Sequence, residues 1–85
     1  MAVVQPPSRA FTEIAEFIAS GPNWDQLLSF RPSEPLQQRA RELLTKLREG
    51  RLSDEESEEL DQFGHAETLM RLIKARIHAR QASQP

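Results

Sequence analysis

Apolar side chains recur along the chain at the three- and four-residue steps of helices, in stretches interrupted by proline and glycine. Phe11, Ile14, Ala15 and Ile18 are spaced for one face of a helix over residues 9–19, with Ser8 placed to cap it. The "SGP" that follows stops it: Gly21 suits a left-handed C-terminal residue and Pro22 cannot continue a helix. Asn23 can cap a short turn over residues 24–29 that offers Trp24, Leu27 and Leu28 to a core. "FRPSEP" is a break, with Ser33 as the next cap and Pro35 tolerated in the first turn. Leu36, Ala40, Leu43, Leu44 and Leu47 then trace one stripe, which Gly50 ends. Ser53 opens the last helix with a capping box, its hydroxyl and the Glu56 carboxylate each reaching the other's amide. Leu60, Phe63, Ala66, Met70, Ile73 and Ile77 form its stripe, and Leu69 and Leu72 widen the seam. Gly64 interrupts it and predicts either a kink or a close approach.

No stretch alternates in the manner of a strand, so the expected class is all-α. The pattern predicts a small helical domain with an antiparallel helical hairpin, a long C-terminal amphipathic helix and one or two short N-terminal helices. Residues 1–8, with two prolines, are expected to be disordered, and residues 9–30 to form the short helices. Residues 31–85 would hold the hairpin, over about 33–49 and 54–80, with a frayed C-terminus. The two hairpin helices are unequal. At about 1.5 Å per residue they span roughly 25 and 40 Å, so the longer outruns its mate by some ten residues. Met70, Leu72, Ile73 and Ile77 lie in or near that overhang. Three surfaces could cover it: the N-terminal helix folded back, a second copy of the chain, or a different protein.

Composition narrows the chemistry. The 85 residues suit a single domain, and the absence of cysteine leaves neither disulfides nor a thiolate metal site. The start "MAVVQPPSRAF" does not read as a secretory signal and no long apolar run spans a membrane, so the expectation is a cytoplasmic protein without membrane contact. His65 and His78, thirteen residues apart on one helix, stand about 20 Å from each other and cannot share a metal. Neither a nucleophile–base arrangement nor a phosphate loop is present, so no catalytic residue, cofactor, metal or small-molecule substrate is assigned and an enzyme is not expected.

The net charge of −2 hides an asymmetry. Residues 54–61 carry six acids, whereas residues 71–80 carry Arg71, Lys74, Arg76 and Arg80 and no acid. Acids in the first turn and bases in the last complement a helix dipole, which accounts for Asp54, Glu55 and Glu56 without a ligand. A calcium loop starting at Asp54 fails, because Glu59 stands where glycine is required and His65 where glutamate is. Docking of the acidic face on a basic protein surface stays open. The four bases are possible nucleic-acid contacts, but they interleave with a packing stripe on a helix that begins with acids, which disfavours nucleic acid as a direct target.

The motifs also carry a resemblance. "RPS" at Arg31, Pro32 and Ser33, "REG-x-LS-x-EE" from Arg48 to Glu56, "ELD" at Glu59, Leu60 and Asp61, and "LIKAR" from Leu72 to Arg76 are similar to a family of small all-helical bacterial proteins abundant in cyanobacteria. The N-terminal "TEIAEFIASGP" resembles it as well, and Gly64 and His65 depart from it. Members of that family are often encoded beside nuclease-like toxins and look like antitoxins. The resemblance implies a non-enzymatic, protein-binding inhibitor that blocks a nuclease without chemistry. Leu60, Phe63, Met70, Ile73 and Ile77 would anchor the partner while Glu58, Glu59 and Asp61 oppose its nucleic-acid-binding bases. The alternatives are a self-associating structural or adaptor subunit of a larger complex, and a DNA-binding autoregulator that uses Arg71, Lys74, Arg76 and Arg80.

Overall fold

A computed structural model describes residues 9–83. The expected disorder of residues 1–8 and the Ser8 cap lie outside the described residues. Four helices follow one another: α1 (Arg9–Ala19), α2 (Trp24–Leu28), α3 (Glu34–Arg48) and α4 (Asp54–Ala82). The domain is all-α, and its long C-terminal helix is the spine against which α1, α2 and α3 all pack. It is about two helices thick, its shortest dimension being 20 Å.

Caps set the boundaries. Ser33 and Ser53 accept from the third amide of α3 and α4, and at α4 Glu56 returns the bond to the Ser53 amide at 3.1 Å. Asn23 and Gln26 close the same reciprocal box on α2. Gly50, at φ 68°, ends α3 in a Schellman motif: its amide donates to the Leu47 carbonyl and the Arg51 amide donates to the Lys46 carbonyl at 2.9 Å. Gly21, at φ 74°, closes α1 with the first of those bonds only, since Pro22 has no amide to make the second. At the other end α4 continues two residues past the expected Arg80. The Ser83 amide donates to the Ala79 carbonyl and its hydroxyl to the Arg80 carbonyl. Helix α4 runs unbroken through Gly64, and nothing lies close to where a Cβ would stand there, so the expected close approach is not found.

Ala10, Ile14, Leu36, Ala66 and Met70 form the buried core, with Phe11, Phe30, Phe63 and Ile73 packed around them. Helix α1 therefore folds back over α4, the first of the three ways of covering the overhang. Met70 and Ile77 are buried by the chain itself, and Ile73 is half-buried. The face that α1 buries differs from the expected one. Ala10 and Ile14 turn inward and Phe17 packs tilted on Phe30, ring centres 4.8 Å apart, while Ala15 and Ile18 face solvent. The Phe17–Phe30 contact fixes the rotation of α1, because a large aromatic pair outweighs the Ile18 methyls in apolar area. Trp24 is likewise exposed, and only Leu27 and Leu28 of α2 are half-buried.

Candidate partner-binding surface

The acids of α4 divide into two sets. Glu59 accepts from Arg39 Nε at 2.8 Å and from Nη2 at 2.9 Å, a bidentate clasp from α3 to α4. Glu56 pairs with Lys46 while holding the Ser53 cap, and the Arg39 guanidinium lies 3.8 Å away. The Lys46 ammonium and then the Ser53 amide hold the Glu56 carboxyl down at about 2. The Arg39 hydrogen bonds lower that of Glu59, and Arg39 itself is raised by the same contact. Glu59, expected to oppose a partner's bases, is thus already engaged by Arg39 within the fold, with its side chain about a third exposed. Glu58 and Asp61 are exposed and make no ion pair among the described residues.

The expected apolar anchors are also redistributed. Met70 and Ile77 are buried, and Leu60, Phe63 and Ile73 are half-buried. Large apolar side chains emerge elsewhere instead. Leu44 and Leu47 on α3 are 43% and 51% exposed, and Leu69 and Leu72 on α4 are 38% and 57% exposed. The pattern had placed Leu44 and Leu47 in the seam. At about 100° per residue, Leu44 falls about 80–100° away from Leu36 and Leu43, at the edge of the seam, whereas Leu47 lies on their side but in the last turn of α3 and is left exposed.

Between α3 and α4, closed at one end by α1 and the Phe30 turn, lies a groove of 340 Å³. Its floor is apolar, made by Ile14, Leu36, Ala40, Phe63, Ala66 and Met70. Gln37, Glu67, Arg71 and Lys74 form its polar rim. Gln37 and Ala40 share one side of α3 with Leu44 and Leu47, at steps of three and four, so the exposed leucines lie beyond the groove in the direction of the hairpin loop. Lys74 donates to the Phe30 carbonyl at 3.1 Å and has no carboxylate partner among the described residues, whereas Arg71 pairs with Glu67 one turn away. The rim at that end is therefore net positive. The groove could not be read from the sequence, since it exists only because α1 stops short of filling the space between the hairpin helices. Its one legible signal was the alanine pair Ala40 and Ala66, small residues at seam positions of facing helices.

The four bases do not form one strip. Arg71 and Lys74 stand at the groove, while Arg76 and Arg80 are exposed on another side of α4. Among the described residues, no three His, Asp or Glu side chains converge as a metal site, and no helix is long and apolar enough to cross a membrane. No family model, no curated protein and no solved structure matches the chain.

Proposed function

We propose that the protein is a non-enzymatic binding module that receives an apolar segment of another protein in the α3–α4 groove. One observation carries this reading: a 340 Å³ apolar trough is lined by Gln37 and Ala40 of α3, and the same side of that helix carries, one and two turns on, two leucines that the fold leaves half-exposed. Fully burying a leucine is worth about 1.5–3 kcal/mol and roughly half of that remains to be gained at each of these half-exposed side chains, so a partner covering Leu44 and Leu47 is favoured. The segment would be an amphipathic helix, with apolar residues seated over Ala40 and Phe63 and an acid meeting Lys74. The action the family resemblance implies, occlusion of a bacterial nuclease in the cytoplasm, would be exerted through this surface in place of the buried Met70–Ile77 stripe.

Co-expression with the products of the flanking genes tests the reading. The expected result is a stable complex that is lost on Ala40→Trp, which fills the trough, and on Leu44→Glu with Leu47→Glu, while the helical circular dichroism of each variant stays intact. A failure to bind either neighbour, or a complex indifferent to these changes, would overturn it.

A further inference from the structure

The outer side of α4 carries a second pattern, separate from the groove. Glu58, Gln62, His65, Leu69, Leu72, Arg76 and Ala79 follow one another at steps of four, three, four, three, four and three, the spacing of a coiled-coil seam. All are exposed. Leu69 and Leu72 stand at the middle of this row; Glu58 lies in its first half with Asp61 beside it, and Arg76 in its second with Arg80 beside it. A molecule two helices thick has no further layer to cover it.

We propose that this side of α4 pairs with the same side of a second copy, antiparallel, about a two-fold axis midway between Leu69 and Leu72. With the axis there, Leu69 of one copy meets Leu72 of the other, and the symmetry makes this contact twice, so all four leucines are covered. Gln62 falls opposite Ala79, and His65 opposite Arg76. Within about one helical turn of the facing positions, Asp61 reaches Arg76 of the second copy and Glu58 reaches Arg80 of the second copy. Glu58, Asp61, Arg76 and Arg80 make no ion pair within the chain among the described residues, so the dimer supplies partners that the monomer does not. A parallel pairing would set Glu58 against Glu58 and Arg76 against Arg76, which like charge opposes. A foreign helix would need the mirror-image charge order that a second copy already has. The paired length, residues 58–83, is about 35–40 Å at 1.5 Å per residue. The apolar centre is short, so a weak dimer is expected, visible in the micromolar to millimolar range.

Sedimentation equilibrium of the full chain over that range, with variants, decides the matter. The expected result is a monomer–dimer equilibrium that Leu69→Gln with Leu72→Gln weakens at least about tenfold without lowering the thermal midpoint of the dilute monomer. Two charge variants sharpen it. Glu58→Lys with Asp61→Lys makes one copy wholly basic along the row, and Arg76→Glu with Arg80→Glu makes the other wholly acidic. Each alone should be monomeric, and the mixture should form a heterodimer tighter than the native pair. Orientation is read by cysteine: the native chain has none, so Leu69→Cys and Leu72→Cys copies mixed under mild oxidation should give mainly the mixed disulfide. A native chain monomeric at millimolar concentration, a charge-variant mixture that stays monomeric, or disulfides mainly between identical copies would each overturn the proposal. None of these variants touches the groove, so loss of the dimer leaves partner binding there separately measurable.

Discussion

The two ends of the hairpin are held together by different means. At the loop end, Arg39, Lys46, Glu56 and Glu59 clasp α3 to α4 over fully buried Leu43, and the participants lie within about twenty residues of one another. At the far end, α4 has outrun α3, and its apolar side is covered from a distance. Ile14 of α1 and Met70 of α4 share one core, Glu13 accepts from the Ser33 amide at 2.9 Å, and Lys74 reaches the Phe30 carbonyl. The first end closes tightly because short loops bring complementary groups into register. The second closes incompletely, because α1 covers only one end of the space between α3 and α4, and the groove is what remains. Tight local closure yields stability, and incomplete distant closure yields a binding surface.

The sharpest way to break this contrast is to truncate a leucine in each setting. Leu43→Ala should cost about 2–5 kcal/mol in urea titrations followed by circular dichroism, enough to unfold much of a small domain. Leu72→Ala, on the open side of α4, should cost less than about 0.5 kcal/mol in dilute solution. Equal effects would mean that Leu72 is not exposed in the folded chain.

The glycines give an intermediate effect of opposite sign. Gly50→Ala forces a Cβ into the left-handed region and should destabilise by about 1–2 kcal/mol. Gly64→Ala, in mid-helix with open space around it, should stabilise by about 0.5–1 kcal/mol. A destabilising Gly64→Ala would show that α4 needs a bend there.

The clasp gives a smaller effect that depends on pH. Both carboxyls are lower in the folded chain than the usual 4.5, so they stabilise it above that value. As pH falls from 4.5 toward 2, Glu56 and Glu59 take up protons more readily in the unfolded chain, and this contribution is lost. Glu59→Gln should cost about 1 kcal/mol at neutral pH, the side chain being a third exposed, and should flatten the acid limb of the stability profile. An unchanged acid limb would place the clasp outside the stabilising contacts.

The starts of α2, α3 and α4 and the glycine that ends α3 were legible in the sequence, whereas the end of α4 lay two residues beyond the expected Arg80. Ser33, Ser53, Asn23 and Gly50 each act on atoms within four positions, so the chain needs no tertiary contact to specify them. The hairpin followed from the short loop, and the structural account of Glu56 from its capping box. Burial was another matter. The heptad-like rows of α3 and α4 hold more leucines than one seam can take, and periodicity ranks Leu43 and Leu44, or Met70 and Leu69, nearly alike. Which of each pair goes inside depends on the rotation of a neighbour, set here by Phe17 on Phe30 and by Arg39 on Glu59. The same holds for the acids: Glu58 and Glu59 are adjacent in the chain, yet one faces water and the other a guanidinium. Local order in this protein comes from contacts a few residues long, whereas the groove and the open row on α4 come from how three helices divide the surface of a fourth.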